Sequence, residues 1–212
     1  MLPKELEDIF NEYEEDDFSL YVTRAEYGKE FKLDFHLQVQ DINDKGEISQ
    51  MWTVETVGYR KCQVSFGFAD FLKIFGDSPL LWEFSDTHGE LYFTGQIKDS
   101  AKLFVDLYKT HKELFGDYQK LDLQFSENIL CSGNVRFSNG LIAKGPRNLL
   151  EHYAKCLIQN GLNFSIIGEW RPTIDDGFKH VPESHNLYVL FLGNTYIIAN
   201  KFLFTKQVEN SR

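Results

Sequence analysis

Apolar and polar residues alternate most cleanly over Phe31-Lys-Leu33-Asp-Phe35-His-Leu37-Gln-Val39-Gln. A period of two predicts a strand with Phe31, Leu33, Phe35, Leu37 and Val39 on a buried face and Lys32, Asp34, His36 and Gln38 on a wet one, as in an antiparallel sheet. Around it the pattern predicts further strands over Phe18–Tyr27, Ile48–Val57 (ended by Gly58), Tyr59–Phe66 and Phe164–Ile167, and a closing hairpin with Leu187–Leu192 and Thr195–Phe204 joined by Gly193-Asn194. Leu80–Phe84 and Glu90–Gly95, separated by Ser-Asp-Thr-His-Gly, read as another hairpin, and short strands are expected at Ile129–Cys131 and Val135–Phe137.

Helical spacing recurs in three longer places. Leu2, Leu6, Ile9, Phe10 and Tyr13 mark a short helix over 2–13, with Pro3 in its first turn. Leu103, Phe104, Leu107, His111 and Leu114 mark a second, stopped near Gly116. Leu149, Leu150, Tyr153 and Leu157 mark a third over 146–160, stopped by Gly161. Phe68–Phe75 reads as a shorter helix ended by Gly76. Residues 168–185, with Pro172, Asp175, Asp176, Gly177 and Pro182, read as a long loop. The expected fold is a single α+β domain over 1–212, a largely antiparallel sheet of six or more strands with the two main helices packed on one face.

Composition adds to this picture. The 19 Phe and 10 Tyr suit strands and thick aromatic cores, and only 5 Pro and 15 Gly leave no room for a disordered linker. A net charge of −10 argues against nucleic acid as the partner. The acid is uneven: Glu5, Glu7, Asp8, Glu12, Glu14, Glu15, Asp16 and Asp17 face only Lys4 in the first seventeen residues, a net −7 of the −10. Cys62, Cys131 and Cys156 form neither a disulfide framework nor a zinc pattern. There is no basic start followed by an apolar core of a leader, and no apolar run near the ~18 residues of a bilayer span, so a cytoplasmic protein without a membrane partner is expected.

Candidate chemistry is sparse. Lys144, Gly145 and Arg147 stand where a strand enters a helix, and free helix N–H groups flanked by two cations are a candidate anion site, although Pro146 removes a donor. Trp170-Arg171 is an aromatic–arginine pair of the kind found at interface hot spots. Glu12, Glu14, Glu15, Asp16 and Asp17 are a candidate docking surface for a basic partner. His180 and His185, with Asp175 and Asp176, lack the spacing of a compact metal site, and no nucleophile elbow or cofactor motif appears. No catalytic residue, metal or cofactor is expected.

In its acidity, size and lack of catalytic motifs the chain is similar to bacterial immunity proteins, which bind and block a toxin. That resemblance is one of class; it implies another protein as partner and assigns no residues. The expected function is a non-catalytic protein-binding module, immunity- or inhibitor-like. The alternative is a protein that binds or hydrolyses a small molecule or sugar in an aromatic-lined pocket. The oligomeric state is not legible.

Overall fold

The structure, a computed structural model, describes residues 2–14, 17–39, 48–122, 138–175, 180–182 and 186–207. In chain order the elements are α1 (Lys4–Glu12), β1 (Phe18–Glu26), β2 (Lys32–Val39), β3 (Ile48–Gln63), β4 (Gly67–Ala69), β5 (Leu72–Phe75), a 3-10 turn (Pro79–Leu81), α2 (Trp82–Ser85), β6 (His88–Thr94), α3 (Ser100–Phe115), β7 (Asn139–Pro146), α4 (Arg147–Gln159), β8 (Asn163–Trp170), β9 (Thr173–Asp175), β10 (His180–Pro182), β11 (Tyr188–Leu192) and β12 (Thr195–Lys206). They form two compact units, one from residues 1–78 and 186–212, the other from 79–185.

The first unit is an antiparallel seven-stranded sheet in the order β4-β1-β2-β3-β12-β11-β5. Its edge strands, β4 and β5, are separated in the chain only by Asp70 and Phe71. Three Cα steps span at most about 11 Å, whereas seven flat strands would hold their edges about 29 Å apart. The sheet therefore curls until its edges approach. Gly193, in the β11–β12 turn, seals this corner: its N–H donates to the Phe71 carbonyl at 3.1 Å, its φ is +53°, and a Cβ there would lie 2.7 Å from the Cβ of Ala69. Gly193→Val is expected to cost about 1–3 kcal/mol through left-handed backbone strain and overlap, read as a lower urea midpoint.

The alternating segment is β2, and Phe31, Leu33, Phe35, Leu37 and Val39 are fully buried. The opposite face is half-buried rather than exposed, because β3 supplies partners: Lys32 pairs with Glu55 at 3.1 Å, Thr53 donates to Asp34 at 2.7 Å, and His36 hydrogen-bonds Ser49 at 2.8 Å. Leu6 and Ile9 of α1 enter the same core. Two expectations change here. Gly58 does not end a strand; at φ +67° it lies within the sixteen-residue β3, between Val57 and Tyr59, which keep one register against β12 before a shift at Arg60. The Glu30 carboxylate holds this part of the strand by accepting from the N–H groups of Gly58 and Tyr59 and from Thr56 Oγ1. Phe68–Phe75 is not a helix but β4, a corner and β5, because strand pairing on both flanks outweighs a short apolar spacing.

The second unit holds a three-stranded antiparallel sheet, β7-β6-β8. The two main helices belong to this unit, where they form successive layers rather than one layer on a sheet face. Helix α4 packs on β6, β7 and β8, and α3 packs on α4. The burial of α4 explains the layering. Leu149, Leu150, Tyr153, Ala154, Cys156 and Leu157 are buried, too broad an arc for one neighbour. Bonds from Asn160 to Asp106 (2.9 Å) and between Cys156 and Thr110 (3.1 Å) fasten α4 to α3. Leu80–Phe84 is not the first strand of a hairpin. It is the 3-10 turn and α2, with Leu80 and Leu81 both buried and Ser85 Oγ donating back to the Leu81 carbonyl at 2.9 Å; a short apolar run carries no period to separate the two conformations. The stretch 168–185 is not one loop: it ends β8 and contains β9 and β10, which pair with each other. Ile129–Cys131 and Val135–Phe137 lie outside the described residues.

Candidate functional site

Where the curled sheet of the first unit meets α1, the surface opens into a cleft of about 430 Å³. Three separate segments build it. Helix α1 contributes Leu2 from its approach and Glu7, Phe10 and Asn11; β1 contributes Phe18 at its first residue; the β4–β5 corner contributes Phe71, Leu72 and Lys73. Local sequence accounts for each wall. The apolar stripe of α1 places Leu6 and Ile9 in the core, which leaves Phe10 at the stripe's margin, half-buried, with its ring 5.0 Å from that of Phe18. The corner turns Phe71 outward between two short strands, and Lys73 Nζ lies 5.7 Å from the centre of the Phe71 ring. The floor is apolar, and its charged groups, Glu7 and Lys73, have opposite sign.

The acidic residues near this cleft have unequal roles. Glu5 is an anchor for α1: it accepts from Lys206 at 2.5 Å and Gln50 at 3.2 Å, tying the helix to β12 and β3. Asp17 holds the turn into β1, its carboxylate accepting from the Glu14 N–H at 3.3 Å and its own N–H donating to the Glu14 carbonyl at 3.0 Å. Asp8, Glu12 and Glu14 are exposed on or just beyond α1, and Glu15 and Asp16 lie outside the described residues.

The remaining candidates lie in the second unit. Lys144 is in β7 and pairs with Glu90 at 2.5 Å; Tyr92 donates to the same carboxylate at 2.8 Å. The Lys144 ammonium and Tyr92 hydroxyl hold the Glu90 carboxyl below its ordinary range, and Glu90 holds Lys144 and Tyr92 above theirs. Gly145 has φ +149°. Arg147 opens α4 and pairs with Glu151 one turn on, at 3.1 Å. The N-terminus of α4 receives an anion from this chain, since the Asn148 N–H donates to the Asp86 carboxylate at 2.7 Å. Trp170 is 43% exposed at the end of β8, its ring 5.9 Å from that of His88, and Arg171 follows it, exposed. The structure thus keeps Lys144 and Arg147 in separate ion pairs. The acidic residues of α1 and the Trp170–Arg171 pair belong to different units.

One buried polar group invites a catalytic reading, and its bonding gives a structural one. His111 is buried between α3 and α4. Its Nε2–H donates to the Gln119 carbonyl at 2.9 Å, so Nδ1 accepts from the Tyr153 hydroxyl at 2.8 Å. Burial pushes the imidazole below its ordinary value and the Tyr153 phenol above its own. The unfolded chain then takes up a proton at His111, near pH ~6.5, before the folded chain does. Its contribution to stability is full above that pH and is lost as pH falls through the lower folded value. The wild-type urea midpoint is expected to drop more from about pH 7.5 to about pH 5.5 than that of His111→Gln. Tyr153→Phe, which leaves Nδ1 buried without a donor, is expected to cost about 1–3 kcal/mol at neutral pH. The Cys156 thiol, also buried, lies above its ordinary range for the same reason.

Among the described residues, no three His, Cys, Asp or Glu side chains converge as a metal site, and no helix is long and apolar enough to cross a membrane. The side chains of His180 and His185 lie outside the described residues, as does Cys131. Comparison with protein-family models, curated proteins and solved structures finds no match for the chain.

The cleft was not legible in the sequence. Phe10, Phe18 and Phe71 each read as an ordinary core aromatic, and only the near closure of the sheet brings them together. The feature that bore on it was the width of the α1 stripe, five apolar positions of which Leu6 and Ile9 are buried and Leu2, Phe10 and Tyr13 only partly so.

Proposed function

We propose that this chain is a non-catalytic protein-binding module that captures a basic segment of a partner by seating an apolar side chain in the cleft between α1 and the β4–β5 corner. The observation that supports this most is the cleft itself: an open apolar floor of Leu2, Phe10, Phe18, Phe71 and Leu72 beside a helix with exposed carboxylates. Apolar anchors in a pocket supply most of the energy of an interface, and surrounding charge supplies steering and choice of partner. Glu7 lines the cleft, and Asp8, Glu12 and Glu14 extend the negative field along and beyond α1. A Lys- or Arg-bearing segment with a Leu, Phe or Trp anchor fits this pattern.

Selection of random displayed peptides on the immobilised chain tests the reading. Enriched peptides are expected to combine basic residues with one or two large apolar ones, and to be lost on the Phe71→Ser variant. Enrichment of acidic peptides, or full retention on that variant, contradicts it. A second reading is supported by the volume of the cleft, which lies within the range of small-ligand pockets: an apolar small molecule carrying an amine. Fragment screening that saturates the cleft with such compounds, without any peptide enrichment, would favour it.

A further inference from the structure

Strand β8 is an edge of the three-stranded sheet among the described residues. Its first five residues, Asn163–Ile167, continue straight until the register against β6 shifts at Gly168, whose φ is +71°. Phe164 and Ile167 of this window are 42% and 50% exposed. Natural edge strands are protected by charges, proline or an early bulge. This window has no charged residue and no proline, and its bulge comes only after it. In a chain with one residue in four charged and a net charge of −10, that neutrality is what permits pairing with an identical strand.

We infer that β8 pairs antiparallel with β8 of a second copy of this chain, about a two-fold axis through Ser165, joining two three-stranded sheets into one of six strands. Antiparallel self-pairing is isologous, so each contact occurs twice. Centred on Ser165, it sets Phe164 against Ile166 in both directions, an aromatic against a β-branched side chain. These two residues are in register with Phe93 and Leu91 of β6, both fully buried, so the new pairs extend the face that α4 covers. The exposed Glu169 of each copy would lie four positions from the axis, about 26 Å from its counterpart, beyond the ~8–10 Å over which salt leaves charges interacting. A shift by two residues one way would set Phe164 against Gly168 and lose both aromatic pairs; the other way it would set Ile166 against Leu162, which is buried and bonded through its N–H to the Leu157 carbonyl.

Edge pairing over five residues makes a small, reversible interface. Sedimentation velocity of the full chain is expected to show a monomer–dimer equilibrium with a Kd on the order of 100 µM, and Ser165→Lys, which sets two lysines face to face, to weaken it at least tenfold. Cysteine cross-linking fixes the register. At the axis the two Cα atoms lie about 4.5–5.5 Å apart, within disulfide range. Under mild oxidation Ser165→Cys is expected to give a covalent dimer well above the wild-type background, and Glu169→Cys, on the same strand, to give none above it. A chain monomeric up to about 500 µM, or equal cross-linking by the two variants, overturns the inference. Neither measurement involves the cleft of the first unit, so failure here leaves that proposal standing.

Discussion

Replacing Phe35 by alanine is expected to destabilise the first unit by about 3–5 kcal/mol. Phe35 sits at the middle of β2, fully buried, with Val22 of β1 and Trp52 of β3 directly across in register. All three belong to the core that also takes Leu6 and Ile9 of α1. Removing the ring leaves a cavity that the flanking strands can fill only by breaking their ladders. Its neighbour His36, on the opposite face and bonded to Ser49, gives the internal control: His36→Ala is expected to cost less than about 1 kcal/mol. Urea unfolding followed by circular dichroism separates the two. Equal costs would mean that β2 does not present one wholly buried face.

The second large effect concerns binding. Phe71→Ser is expected to weaken a cleft-selected basic peptide by about thirtyfold, the loss of one hot-spot side chain, mainly through faster dissociation. Neutralising Glu7, Asp8, Glu12 and Glu14 together is expected to act on the other rate. Association should slow by about tenfold at low salt and its dependence on ionic strength should flatten, with dissociation changed less. Asp17 is left intact in that variant because it holds the turn between α1 and β1, and its loss would disturb Phe18 in the cleft wall. Stopped-flow association at several salt concentrations reads both effects. A neutralised variant with an unchanged on-rate would reduce the acidic helix face to solvated surface.

How much of this was legible depended on the range of the forces involved. The β2 alternation, the α1 stripe and the Gly193-Asn194 hairpin are local patterns, and the structure keeps them. Helices α3 and α4 were legible as helices, but their layering was not. Six buried positions on α4 imply two neighbours without saying which, and the second neighbour is α3. Gly58 reads alone as a breaker. The strand continues through it because Glu30, twenty-eight residues earlier, supplies an acceptor to its N–H. The short strands β4 and β5 are too brief to show a period and exist because β1 and β11 offer them edges. The candidate cation pair Lys144 and Arg147 was visible, but not that Glu90 and Glu151 pair with them or that Asp86 reaches the helix N-terminus. Each miss is a long-range partner chosen by the fold.

Amide chemical-shift mapping tests most directly whether a partner docks in the cleft of α1 and the β4–β5 corner. Titrating the labelled full chain with a selected basic peptide is expected to move the amides of Glu7, Phe10, Asn11, Phe18, Phe71, Leu72 and Lys73 most. Largest shifts on β8 or around Trp170, with these seven unmoved, would contradict the account.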